Sequence, residues 1–227
     1  MKFEERSYSG KIFRPRPEIY FSDETKLLIV ATPWGTRSGA KKVIQIIVDF
    51  FTASTQDMEA TSPFEKLSCL SSEANALRTA ALIANDKIYR EENKSEFVVG
   101  VELFAASIEK NDVVWLQVGH PNILLARQRR GLVPLGSHVD LSLDMSGGNR
   151  ILPPLPSQLM GLDPTCNITI GSFRPQLNDI LMFVSRSAMS ERLYLLNQDE
   201  WNLAAVSRAL AENHPDLAFW SGLLHLN

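Results

Sequence analysis

Between residues 97 and 127 three apolar runs follow one another almost without interruption: FVVGVELFAASI (97–108), VVWLQVG (113–119) and NILLAR (122–127). Each is rich in branched and aromatic side chains, which suit a pleated backbone. The segments that separate and follow them are EKND, HP and QRRG, turn-type stretches of two to four residues. Parallel neighbours need a crossover of about a dozen residues, so connectors this short predict an antiparallel meander of hairpins. The RQRR run at 127–130 then reads as a solvated hairpin tip beside Gly131, in preference to a patch for an anionic partner.

The flanks supply the other elements. KLLIVAT (26–32) reads as a buried strand ended by Pro33. Val43, Ile44, Ile47 and Phe51 recur at helical spacing, which predicts a helix over 38–53 with Ser38 as its cap. After a polar loop at 54–70, a second helix starts at Ser71 or Ser72 and keeps Ala74, Leu77, Ala81, Ala84 and Ile88 on one face. EENKSE (91–96) ends it. Residues 136–165, rich in Gly, Ser and Pro, read as an irregular excursion. CNITI (166–170) and DILMFVS (179–185) read as strands. DEWNLAAVSRALAEN (199–213) reads as a helix with Trp201, Ala205 and Leu210 inward, and AFWSGLLHL as a final core strand rather than a dimer surface. Helices and antiparallel strands occupy separate stretches, which indicates an α+β layered fold. No linker interrupts the pattern, so one domain over 1–227 is expected.

Composition narrows the function. The 227 residues carry 23 Lys+Arg against 26 Asp+Glu, a net charge of -3, with 44% hydrophobic residues. A near-neutral chain has no field to hold nucleic acid or an anionic membrane by charge alone, so neither is an expected partner. No apolar stretch approaches the roughly 20 residues that span a bilayer. The N-terminal segment is too charged for a signal peptide, and a cytoplasmic location is expected. Cys69 and Cys166 cannot build a disulfide framework or, with four His, a Cys-rich zinc site. Free buried thiols are expected, although one bridge is open to them. The sequence holds no G-x-S-x-G, Walker loop, G-x-G-x-x-G or H-E-x-x-H. Ser146, Gly147, Gly148 and Asn149 read as a flexible loop rather than a phosphate cradle. His120 and His138 fall in or near predicted turns, where lone histidines are surface residues more often than bases.

The order of these segments resembles the metal-dependent protein phosphatases of the protein phosphatase 2C group over nearly the whole chain. LLIVATPWGTRSGAKK looks like that family's V-A-D-G-M-G-G strand and turn followed by its first helix. ANALRTAALIANDKIY resembles its second helix, with A-N-x-x-I-Y at Ala84, Asn85, Ile88 and Tyr89. The stretch from Phe97 to Ser142 is similar to its M-G-T-T, V-G-D-S-R, L-T and D-H-S series. LPSQLMGLDP resembles its L-G turn and LNDILMFVSRSAMS its G-D-x-x-L-L-x-S-D-G-L. The resemblance implies a four-layer αββα sandwich of two antiparallel sheets flanked by helices. In active members it implies aspartates and one backbone carbonyl that hold two Mg or Mn ions. Their bound water attacks phosphoserine or phosphothreonine.

Carried over position by position, most of the ligand aspartates are missing. Thr32 stands for the Asp of D-G-M-G-G, and Pro33 for the Gly that lends its carbonyl. Arg186 stands for the Asp of S-D-G, between Ser185 and Ser187, and His120 for the Asp of V-G-D-S-R. The C-terminal pair falls at Ala218 and Phe219, or at Asp216 and Leu217 one register away. The N-terminal ligand falls near Pro17 and Glu18, where Glu18 is the one carboxylate. Arg14 or Arg16 matches the phosphate-binding Arg loosely. A cation at 186 repels a divalent ion at contact by several kcal/mol even at an effective dielectric of about 20. The resemblance therefore implies a pseudophosphatase, with no catalytic residue and no cofactor expected. Such a chain would be a binding or regulatory module for a protein partner, using the old cleft or the 136–165 excursion. Two alternatives stand beside it: a divergent serine/threonine phosphatase with Mg or Mn, using Glu18 and Asp216, and a phosphate or phosphopeptide binder through Arg186 with Arg14 or Arg16. Arg186 is expected to fill the vacated metal position and pair with Glu18.

Overall fold

A computed structural model of the chain describes residues 1–56, 63–109, 111–145 and 152–226. The Ser146–Asn149 tetrad lies outside the described residues. The chain is α+β, with two five-stranded antiparallel sheets and their helices. It divides into two compact units, Pro17–Val118 with Gln158–Arg174, and Met1–Arg16 with Gly119–Ser157 and Pro175–Asn227.

The first unit holds β2 (Glu18–Ser22), β3 (Leu27–Gly35), β4 (Val99–Glu109), β5 (Asp112–Val118) and β8 (Thr169–Phe173), in the order β2-β3-β4-β5-β8. Against one face of this sheet pack α1 (Arg37–Gln56) and α2 (Ser72–Lys87). Leu27, Ile29 and Ala31 of β3 meet Val43, Ile47 and Phe51 of α1 and Leu77, Ala81 and Ala84 of α2. Strand period two and helix period 3.6 thus bury the same stripe, at about 1.5–3 kcal/mol for each large aliphatic side chain. The hydroxyl of Ser71 caps α2 by accepting from the Ala74 N–H. A π turn at Ile88–Glu92 extends it.

The second unit holds β1 (Lys2–Tyr8), β6 (Asn122–Arg127), β7 (Gly131–Gly136), β9 (Ile180–Ser185) and β10 (Phe219–His225), in the order β1-β10-β9-β6-β7. Its helices are the short α3 (Leu141–Met145) and α4 (Glu191–Tyr194), and α5 (Leu203–Asn213). Leu193, Trp201, Val206 and Leu210 close over Met182, Val184, Phe219 and Leu223.

Several expectations are corrected. β3 runs two residues past Pro33, opposite Val101. Val101 gives both its N–H and its carbonyl to Met160, so the ladder asks for no N–H from Pro33. The HP connector is no hairpin: β5 and β6 belong to different sheets, with a cis His120–Pro121 peptide between them. β1, β2 and β7 went unread because KFEERSY, EIYFS and GLVPLG are short, charged or interrupted by Pro. Edge strands tolerate these features, and all three are edges. The predicted strand at 166–170 sits three residues later as β8, which includes Gly171. A Cβ on Gly171 would lie 2.4 Å from the Trp115 ring across the ladder, so Trp115 requires the glycine. α1 begins at Arg37 and takes Ser38 into its first turn, and α5 starts at Leu203 with Asn202 as its cap. Both cysteines are free, but Cys69 is exposed. Cys166 is half-buried, its thiol pushed up to about 12 by burial and by Asp163.

Candidate functional site

In the first unit the strand register decides which of the residues singled out by the resemblance share a face. Thr32 is paired with Glu102 of β4, and Glu18 with Ala31. Paired residues share a face and successive residues alternate. Glu18 therefore lies on the side of Ala31, while Thr32 faces the other way. Glu18 is taken by Arg37 at the start of α1, whose Nε donates to its carboxylate. Thr32 is fully buried, and its hydroxyl has no hydrogen-bond partner among the described residues. Pro33 follows it, buried. The carboxylate on Thr32's face is Glu102, which is also fully buried and accepts from the Trp34 indole N–H at 3.0 Å. Sequence reading passed over Glu102. Its signal was a lone acid inside the apolar run VGVELFAA.

The family-like Asn85 of α2 has a structural task here. Its Oδ1 accepts from Gly161 N–H at 2.8 Å and its Nδ2 donates to the Asp163 carbonyl at 3.0 Å. Asn93 completes the clamp, donating to the Val99 and Gly161 carbonyls and accepting from the Val98 and Val99 N–H groups.

In the second unit Arg186 follows β9 and is fully buried. Its Nη2 donates to the carbonyl of His214, the cap residue of α5, at 3.3 Å. The last carbonyls of a helix carry partial negative charge, so this seat offers the cation some compensation. Nε and Nη1 have no partner among the described residues. Burial pulls the guanidinium down to about 10, which leaves it a cation at neutral pH. The expected Arg186–Glu18 pair is replaced by partners within each unit, His214 for Arg186 and Arg37 for Glu18.

Arg14 is buried beside Asp140, with Nη1 3.4 Å from Oδ2. Asp140 also accepts from the Ser187 hydroxyl at 2.6 Å, the Ser142 N–H at 3.0 Å and the Leu155 N–H at 2.7 Å. Burial pushes the Asp140 carboxyl up, but hydrogen bonds from Ser187, Leu155 and Ser142 together outweigh it and hold it below the usual 3.8. Arg16 is exposed, and among the described residues its guanidinium hydrogen-bonds to Ser9. His120, expected at the surface, is buried, and its ring meets the edge of His138 at 5.4 Å. His138 in turn lies 2.7 Å through Nε2 from the Ser157 hydroxyl. Ala218 offers only backbone to Ile12, and Phe219 stacks on Tyr8 at 5.0 Å. Asp216, the alternative register, pairs with Lys11 at 3.0 Å.

The donor set fits a Mg or Mn pair poorly. In the first unit the matched positions offer an orphan hydroxyl and a proline beside one carboxylate, Glu102; in the second, Arg186 is a buried cation, whereas hard divalent ions take oxygen ligands and need compensating negative charge. Among the described residues no group of three or more His, Cys, Asp or Glu is placed to hold a metal ion. No helix is long and apolar enough to cross a membrane.

By sequence, the chain matches no family model and no curated protein. Solved structures do match it along its whole length. The chain has the protein phosphatase 2C-like fold. The PPM Ser-Thr phosphatase MsPP from Mycobacterium smegmatis aligns with a TM-score of 0.69 at 14% identity, covering 100% of this chain and 99% of its own. PppA, a key regulatory component of T6SS in Pseudomonas aeruginosa, aligns at 0.68 and 15% identity, over 99% and 97%. The catalytic domain of the serine threonine protein phosphatase PstP, solved with 2 manganese ions, aligns at 0.61 and 16%, over 100% and 98%. Identities this low carry the fold and leave the activity to the residues of this chain.

Proposed function

We propose that the chain is a non-catalytic binding or regulatory module built on the protein phosphatase 2C-like fold, a pseudophosphatase acting through a protein partner. The observation that carries the reading is Arg186. A buried guanidinium stands where the resemblance calls for a metal-binding aspartate, and it is engaged with the carbonyl end of α5. Thr32 supports it, since its hydroxyl stands where the resemblance calls for a carboxylate. Isothermal titration with Mn²⁺ and turnover of a phenyl phosphate test it. The expected outcome is neither heat of binding nor turnover above buffer. Micromolar Mn²⁺ binding with turnover that Thr32→Val abolishes overturns the reading.

One observation favours a second reading, a divergent Mg- or Mn-dependent serine/threonine phosphatase. Glu102 places a buried carboxylate opposite Thr32, on the same face of the sheet. In that case the turnover assay gives activity that Glu102→Gln removes. The phosphopeptide reading draws less support, because Arg186 and Arg14 are buried and Arg16 alone is exposed.

A further inference from the structure

The two sheets end on β1, β7, β2 and β8, and an edge strand leaves a row of N–H and carbonyl groups open to any extended chain. Three of these edges carry features that discourage such pairing. β1 (KFEERSY) is charged at Lys2, Glu4, Glu5 and Arg6, and β2 (EIYFS) starts on Glu18. β7 (GLVPLG) contains Pro134 and a break in register opposite Ile123 and Leu124. β8 (TIGSF) has no charge, no proline and an unbroken register against β5. Its Thr169 and Ser172 are exposed, and among the described residues β5 is the one strand that pairs with it.

The same strand lines a cleft. Ile170 and Ser172 border a space of about 220 Å³ together with Cys69, Leu70, Ala74 and Val114, all within the first unit. Its walls are held by the fold itself. Asn75, buried in α2, donates to the carbonyls of Leu67, Leu70 and Ser71 and accepts from the Leu67 N–H. That pins the loop carrying Cys69 and Leu70. Ile170 pairs with Leu116 and Ser172 with Val114, and both partners belong to the core that the sheet shares with α1 and α2. Ile170 and Ser172 therefore point to the helix side of the sheet, toward the cleft. A strand added outside β8 would set every second side chain on that side, roughly 5 Å from Ile170 or Ser172. Charge narrows the occupant further: Asp112 at the cleft pairs with Arg174 at 3.0 Å, and the rest of the lining is uncharged. An acidic or basic chain finds no complementary charge there, whereas an uncharged one meets open backbone groups and apolar walls. We propose that the outer edge of β8 docks an extended, uncharged segment of the protein partner, which adds a strand to the sheet and seats an apolar side chain against Leu70, Ala74 and Ile170. The inference rests on the reading of the chain as a binding module.

The test is selection from a displayed library of short random peptides against the whole chain, followed by affinity measurement on the winners. Expected are uncharged peptides rich in branched and aromatic residues. Their binding should fall about tenfold or more on Ser172→Lys and on Thr169→Lys, which put a lysine on the edge at exposed positions and leave the melting midpoint unchanged. N-methylation of the peptide backbone should abolish binding at alternate residues only, a pattern that a ladder gives and side-chain contact alone does not. Bound peptide should also protect Cys69, exposed at the cleft, from alkylation. Any of these results overturns the proposal: no enrichment over an unrelated protein, winners rich in charged residues, winners indifferent to both lysines, no alternation on N-methylation, or Cys69 alkylated at an unchanged rate. Sedimentation velocity gives the remaining outcome, since a dimer dissociated by Ser172→Lys would make the occupant a second copy and overturn the partner assignment. Mn²⁺-dependent turnover would sink the non-catalytic reading while leaving the peptide result standing, so the two failures are distinguishable.

Discussion

Arg14 and Arg186 are two guanidinium groups buried in the same unit, and the chain handles them differently. Arg14 faces a carboxylate, Asp140, which is itself held by Ser187, Ser142 and Leu155. Arg186 faces a helix end, with one hydrogen bond to the His214 carbonyl and two nitrogens without partners among the described residues. A full opposite charge compensates a desolvated cation far better than the partial charge of a helix terminus. The first arrangement organises its surroundings, since three separate chain segments meet at Asp140. The second occupies a position and organises little. Sequence resemblance singled out Arg186. The better-built polar centre is at Asp140.

Stability measurements can break this comparison. The largest effect belongs to Asp140→Ala, which leaves Arg14 buried without its carboxylate and should cost about 3–5 kcal/mol in urea denaturation. A loss under about 1 kcal/mol would mean that the Asp140 network contributes no more than a surface pair. Acid should erase the same contribution. The folded-state carboxyl of Asp140 lies below its ordinary 3.8, so its stabilisation is present above that value and fades as pH falls through the folded one. The gap between wild type and Asp140→Ala should thus hold from pH 7 to about 5 and close below pH 3.8. A gap that stays constant to pH 2 would assign the loss to packing rather than to charge.

Arg186→Met comes next. It removes a poorly compensated cation while keeping an unbranched apolar stem, and stability should stay within about 1 kcal/mol of wild type or rise. A loss of about 3 kcal/mol or more would reveal an anion that completes the Arg186 site and would revive a phosphate-binding role. The smallest effect is expected for Arg16→Ala, an exposed arginine hydrogen-bonded to Ser9, which should leave the urea midpoint unmoved. A clear shift there would tie Arg16 into the fold.

Strongly periodic segments were legible in the sequence. The stripe Val43, Ile47 and Phe51 gave α1, the Ser71 cap and Ala-rich face gave α2, and the apolar runs gave β4, β5, β6, β9 and β10 within a few residues. Edge strands were not legible, because KFEERSY and GLVPLG need one neighbour only and carry the charge and proline that edges permit. The partition of β5 and β6 between two sheets was equally hidden. A two-residue connector is the mark of a hairpin, and local chemistry does not record which strand each edge will meet. The residue types at 32, 33 and 186 were readable, whereas the surroundings of each within its own unit were not.

The sequence by itself determined the α+β class and the antiparallel pairing of most strands, and it places Thr32, Pro33 and Arg186 where the family resemblance implies metal ligands. Class and pairing follow from residue identity and spacing along the chain, which are local quantities. Only the tertiary structure decided that Glu18 and Thr32 face opposite sides of their sheet, that Glu102 is the buried acid opposite Thr32, and that Arg14 is neutralised by an aspartate 126 residues away. Burial and charge pairing are properties of through-space neighbours, and register and chain crossings choose those neighbours.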